Sequence, residues 1–338
     1  AVGLIAALLT PPVFAQDLVI LNWSNYLNPA LIERFEQQHN VQVHQIFFNS
    51  DEERTERLLE TQGHGYDLVV VAGIDLRAYA RRGRLRALPP KAFKNLKHIE
   101  RTWRHRFSAA SEFGVPLAWG TLGIVYRADL ISEPIISWSQ LYRPSEQLSG
   151  KIGMISTPRD LVGMALKSLG YSANTENPDQ LREAKVLVKQ QAPHVRTYRY
   201  PSLSKDSAIL NGSIYAAMIS NGDALTLQQY NSNLIFALPV EGGNLWVDYL
   251  TVPKLARSPE LAYRFIDFLN DPQVAAEQAQ FSHFATPNRA ARNHLPESFV
   301  KDPRIYPQGT NFNNSESYEY LSPTVLRFKN EVLAEIRQ

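Results

Sequence analysis

The strongest constraint on this chain is a repeated alternation of short apolar runs with stretches of helical periodicity. Leu18 to Asn22 (LVILN) reads as a strand. Asn28-Pro29 then opens a helix whose apolar Leu31, Ile32 and Phe35 recur at helical spacing. Val41 to Phe48 alternates as a strand, Ser50 to Thr61 is a charged helix, and Tyr66 to Val71 (YDLVVV) is a continuous apolar strand. This β-α-β-α-β start predicts a mostly parallel sheet with ligands bound at the carboxyl ends of its strands. The residues that follow LVILN and YDLVVV are therefore the first candidates for a site. A second set begins at Ile152 to Ile155, continues through a helix over Leu161 to Leu169, and ends in strands over Ile214 to Ile219 and Leu234 to Leu238. Leu261 to Leu269 is an amphipathic helix with an ordinary core face. The stretch from Pro287 to Asn314 reads as a surface connection.

Ala1 to Ala15 carry no charge and end in Val13-Phe14-Ala15, a small-x-small pattern that signal peptidase accepts, so a signal peptide over 1–15 and a mature start at Gln16 are expected. The run is too short to span a bilayer, and no later stretch approaches a span. The remainder, about 320 residues, exceeds what one hydrophobic core usually supports, and two lobes are expected. The chain has no cysteine, which excludes disulfides, thiolate metal sites and a cysteine nucleophile.

The net charge is only +2. The basic run Arg77 to Arg86 lacks aromatic stacking platforms and reads as a solvated helix face, so no nucleic-acid partner is expected. Recognition of a cationic ligand would have to come from a few acids inside a cleft, because the global field is weak. Catalytic signatures are missing: there is no G-x-S-x-G elbow, H-E-x-x-H pair, Walker loop or G-x-G-x-x-G after a strand, and the eight histidines are scattered. A hydrolase assembled from unlinked positions is the enzymatic alternative.

A more specific pattern runs along the chain. Asn22-Trp23-Ser24-Asn25-Tyr26 follows the first strand, Val115-Pro116-Leu117-Ala118-Trp119-Gly120 comes after YDLVVV, and Leu169-Gly170-Tyr171-Ser172 lies beyond. Asn221-Gly222-Asp223, Glu241-Gly242-Gly243, Trp246-Val247-Asp248 and Thr286-Pro287-Asn288 complete the series. In order and spacing this series resembles the spermidine/putrescine-binding proteins of bacterial ABC importers, over nearly the whole mature chain. The resemblance implies an α/β, two-lobed periplasmic-binding-protein fold with a hinge and an interlobe ligand cleft. Its lobes would comprise 16–124 with 249–294, and 125–248 with 295–338.

The resemblance also implies a polyamine ligand, no metal or organic cofactor, no enzymatic activity and a monomer in the periplasm. Its membrane partner would be an inner-membrane ABC permease or a sensor receptor. The ligand-binding residues it implies are Trp23, Ser24, Tyr26, Asp160, Asp223, Trp246, Asp248 and Phe284. Such a ligand needs spaced carboxylates for its ammonium ends and aromatic faces for the methylenes between. Asp160 has a competing reading as a helix N-terminal charge, and Asp223 as a turn residue after Asn-Gly. Asp248 is the strongest candidate, since an acid between Val247 and Tyr249-Leu250 is costly unless it meets a cation or ample donors. The chain departs from the pattern at Asn25, Thr157, Ser220 and Ala72-Gly73-Ile74, which leaves fewer charges and less aromatic cover.

Overall fold

The structure, a computed structural model, describes residues 17–337. The leader expected over 1–15 and the cleavage point at Gln16 lie outside the described residues. The strands are β1 (Asp17–Trp23), β2 (Gln42–Phe48), β3 (Leu68–Ala72), β4 (Gly114–Arg127), β5 (Ile152–Gly153), β6 (Val195–Thr197), β7 (Ala216–Ser220), β8 (Leu234–Ala237) and β9 (Leu245–Thr251). Helices of two turns or more are α1 (Pro29–His39), α2 (Asp51–Glu60), α3 (Gly73–Arg81), α4 (Pro158–Ser168), α5 (Pro178–Gln191), α6 (Asn221–Gln228), α7 (Pro259–Leu269), α8 (Pro272–Ser282) and α9 (Pro323–Ile336).

Local chemistry sets the helix starts. Asn28 caps α1 by accepting from the Ala30 amide at 3.0 Å, with Pro29 at the first helical position. Ser50 caps α2 through the Glu53 amide at 3.1 Å, and Asp51, Glu52 and Glu53 place negative charge against the exposed amides of the first turn. Asn40 closes α1 in the left-handed conformation at φ 51°, which asparagine tolerates better than most residues.

The strands form one sheet in the order β2-β1-β3-β9-β4-β7-β5-β6, with β8 also pairing with β4. The β1–β2, β1–β3, β5–β6 and β5–β7 pairs are parallel, whereas β3–β9, β4–β9, β4–β7 and β4–β8 are antiparallel. The expectation of a mostly parallel sheet is thus corrected to a mixed one. The cause is that β9 and β4 lie between the two parallel sets, β9 running against β3, β4 against β7, and the two against each other. Residues 114–121 of β4 pair with β9, and residues 122–126 pair with β7. A single strand therefore links β9, which borders one parallel set, to β7 of the other.

Apolar residues cover both faces. Leu18, Ile20, Leu31, Phe35, Leu68, Val70, Leu250 and Phe265 bury one side of the β1–β3 half, and Leu21, Phe48, Val69, Val71, Trp119 and Tyr249 bury the other. Around β5 and β7, Trp138, Ile152, Met154, Leu161, Met164, Leu187, Met218 and Val332 form a separate cluster. Burial on both faces explains why β3 is apolar throughout rather than alternating. The stretch from Pro287 to Asn314 is more than the expected surface connection. It winds through short helical turns and buries Ala291, Leu295 and Ile305 against the body.

Candidate functional site

The sequence candidates converge where β9 passes the end of β3. Asp248 on β9 lies opposite Ala72, the last residue of β3, and opposite Ala118 of β4. Its side chain emerges where the chain leaves β3 for α3. Tyr26, buried after the β1 turn, donates its hydroxyl to Asp248 Oδ2 at 3.0 Å. Burial, with the nearby Asp51 charge, pushes the Asp248 carboxyl up to about 7 against the opposing effect of the Tyr26 hydrogen bond. Burial and Asp248 together hold the Tyr26 hydroxyl well above the ordinary tyrosine range.

Two further aromatic rings adjoin this pair. Phe284 is buried with its ring centroid 6.1 Å from that of Tyr26 and 4.8 Å, edge to face, from that of Trp246. Trp246 lies over Gly120 of β4, where an added Cβ would come within 2.5 Å of the indole and 2.4 Å of Asn221 Oδ1. Only glycine admits that approach. The indole Nε1 of Trp246 is buried and has no hydrogen-bond partner among the described residues.

Asn221 and Asp223 enter from α6. Asn221 is fully buried, accepts from the Thr121 amide at 3.1 Å and donates to the Arg304 carbonyl at 2.8 Å, which fixes the start of this helix on β4. Two residues on, Asp223 accepts from the Tyr200 hydroxyl. Burial drives its carboxyl up to about 6, and its charge reaches Tyr26. Asp223 is thus in the first turn of a helix rather than in the loop that its Asn-Gly context suggested.

The remaining candidates are Trp23, Ser24 and Asp160. Trp23 packs on Phe48 with ring centroids 4.4 Å apart and keeps part of its surface open, while Ser24 is exposed on the following turn. Asp160 lies in the first turn of α4, where its reading as a helix N-terminal charge put it. Thr157 caps α4 through the Asp160 amide and also donates its hydroxyl to Asp160 Oδ2, and the Tyr318 hydroxyl donates to Oδ1 at 2.7 Å. Burial raises its carboxyl nonetheless.

Sequence reasoning missed an ion-pair network beside Asp248. Arg54 of α2, with no exposed side-chain surface, reaches Asp51 Oδ1 at 2.5 Å and Asp75 Oδ2 at 2.6 Å. Arg159 at the start of α4 crosses from the other half of the sheet to Asp75 Oδ1 at 3.1 Å. Ile74, next to Asp75, is buried in the cluster that holds Leu161, Met218 and Tyr318. The signal was available in part, because Asp51 and Asp75 follow the carboxyl ends of β2 and β3. Of their basic partners, Arg54 stands three residues after Asp51 on α2, a spacing visible in sequence, whereas Arg159 has no local signature.

Residues 30–307 match the bacterial extracellular solute-binding protein family. The chain belongs to that family. The spermidine/putrescine-binding periplasmic protein of Escherichia coli is 28% identical to this solute-binding protein over 303 residues, covering 89% of this chain and 86% of the relative. The norspermidine sensor of Vibrio cholerae is 28% identical over 294 residues, covering 86% and 80%. Among solved structures, the spermidine/putrescine ABC transporter substrate-binding protein PotD of Streptococcus pneumoniae superposes with a TM-score of 0.81 at 26% identity, over 96% of this chain and 99% of that one. The two-lobed α/β fold is that of periplasmic substrate-binding proteins. Among the described residues no helix is long and apolar enough to cross a membrane.

Proposed function

We propose that this protein captures a linear polyamine between its two lobes in the periplasm and delivers it to an inner-membrane ABC permease, without chemical turnover. The observation that carries this reading is the pair Asp248 and Asp223. Each is a carboxylate raised by burial, and among the described residues each is bonded to a tyrosine hydroxyl rather than to a cation. An ammonium group supplies the missing countercharge and gains a charge-assisted hydrogen bond of about 1.5–3 kcal/mol. Trp23, Tyr26, Trp246 and Phe284 offer aromatic faces for the methylenes and for cation–π contact. Ser24 and Asp160 complete the proposed set. The proposed lobes are 16–124 with 249–294 and 125–248 with 295–338, one parallel strand set in each.

A second reading keeps the ligand and changes the output to a membrane signalling receptor. It is favoured by the likeness to the norspermidine sensor of Vibrio cholerae. Calorimetry against a panel of diamines, triamines, amino acids and sugars tests the ligand class. Polyamines should bind, raise the melting temperature and reduce the radius of gyration. A neutral sugar that does so while polyamines do not would overturn the reading. Crosslinking in cells then separates a permease from a receptor, and intact polyamine after prolonged incubation with the protein separates a binder from an enzyme.

A further inference from the structure

Residues 314–320 run as a strap along one proposed lobe and end against the other. The near side is secured throughout. Lys167 donates to the Asn314 carbonyl at 2.6 Å, and the Glu316 carboxylate accepts from the Ser172 hydroxyl at 2.7 Å and the Ala173 amide at 2.8 Å. Asn174 bonds the Ser317 carbonyl and the Glu319 amide, each at 2.9 Å. Two contacts reach the far side. The Arg77 amide of α3 donates to the Tyr320 hydroxyl at 3.0 Å, and the Arg77 guanidinium lies 4.8 Å from the centre of the Tyr320 ring. Arg106 Nε donates to the Ser317 hydroxyl at 3.0 Å. Both arginines belong to the α3 side, because the ring of Phe107, next to Arg106, lies against Gly73 at the start of α3.

We propose that this strap is an interlobe clasp with Tyr320 as its catch: it stays with the lobe of residues 125–248 and 295–338 and holds α3 only while the cleft is shut, so that it sets how long a ligand remains inside. The proposal deepens the capture reading above and rests on its lobe boundaries. Because the strap has more hydrogen bonds to its own lobe than to α3, parting of the lobes breaks the Arg77 and Arg106 contacts first. Tyr320 keeps 38% of its surface exposed, so water replaces each lost partner and the contact forms and breaks at little cost. The Asp75–Arg159 pair crosses as well, but parting it takes a cation from a largely buried carboxylate, which costs more. Among the described residues no hydrogen bond or ring contact joins Tyr320 to Tyr26, Trp246, Asp248 or Phe284. The clasp therefore favours the shut form for every ligand alike. The alternative role for Tyr320 is support of the fold around α3, which would leave affinity untouched.

Calorimetry and stopped-flow dissociation with putrescine and spermidine, together with X-ray scattering, on the wild type, Tyr320→Phe and Tyr320→Ala separate these roles. Tyr320→Ala should weaken both amines by the same factor, at least about threefold, with the loss appearing as faster dissociation. Tyr320→Phe, which keeps the ring and loses the hydroxyl, should fall between, and it carries the test if Tyr320→Ala does not fold. The radius of gyration of the empty Tyr320→Ala protein should exceed that of the empty wild type, while the ligand-saturated proteins should match. Unchanged affinities with a lowered melting temperature would assign Tyr320 to the fold alone and overturn the clasp. A loss confined to one amine would make Tyr320 a ligand contact and overturn it too; either result leaves the polyamine reading standing. Failure of every amine to bind the wild type removes the polyamine reading itself, and scattering from the empty proteins then decides on the clasp, which an unchanged radius would remove.

Discussion

The Tyr26 hydroxyl and the Asp248 carboxylate, 222 positions apart in sequence, share a 3.0 Å hydrogen bond at the end of the central strands. The tyrosine donates one hydrogen bond and leaves the rest of the carboxylate available to a cation. Asp248→Asn keeps the shape and removes the charge. It should weaken polyamine binding by more than about 1.4 kcal/mol, tenfold in dissociation constant, while the fold survives. Unchanged affinity with a lowered melting temperature would mean that Asp248 serves the fold alone.

Acidity should control binding. The carboxyls of Asp248 and Asp223, raised to about 7 and about 6, are largely protonated in the empty protein below those values, and a cation needs both ionised. Affinity should therefore rise as pH goes from 5 to 8, and binding near pH 6 should release protons, seen as a dependence of binding heat on the buffer's ionisation enthalpy. The empty protein follows the opposite course. Between the unfolded carboxyl value near 4 and these raised values, the folded state holds more protons than the unfolded state. Its contribution to stability falls as pH rises through that window and levels off above about 7. A pH-independent affinity would refute the assignment.

Arg54 is a folding determinant rather than a ligand contact. With no exposed surface and two carboxylate partners, its loss leaves Asp51 and Asp75 without their shared cation. Arg54→Met should cost about 3 kcal/mol in urea unfolding. A loss below about 1 kcal/mol would show that the buried pairing is offset by desolvation.

Gly120 sets the seat of Trp246. Its replacement by alanine brings a methyl group within 2.5 Å of the indole and 2.4 Å of Asn221 Oδ1. Gly120→Ala should destabilise the protein by about 1–3 kcal/mol and weaken polyamine binding, with a change in tryptophan fluorescence. Unaltered fluorescence and affinity would show that the ring moves aside freely.

How far the sequence foretold this arrangement follows from the range of each interaction. The caps at Asn28 and Ser50 and the apolar run of β3 are local, and the elements they predict appear within a few residues of the expected positions. The gathering of Tyr26, Trp246, Asp248 and Phe284 was legible only through the order of family motifs, because no spacing rule links positions so far apart. The direction of β4 and β9 was not legible, since a strand's periodicity is the same in parallel and antiparallel pairing. Nor was the network of Arg54, Asp75 and Arg159, where surface-type residues become buried through contacts between remote segments.

The unbroken course of β4 has a mechanical consequence. Its first half completes one set of strands and its second half the other, so neither half of the molecule owns a full set of backbone partners without the other. Melting should then be a single cooperative event, and a fragment cut near residue 120 should not hold its shape. Opening of the cleft would be a flexing of one continuous sheet, resisted by its hydrogen-bonded ladder, rather than the swing of two bodies on a loose tether.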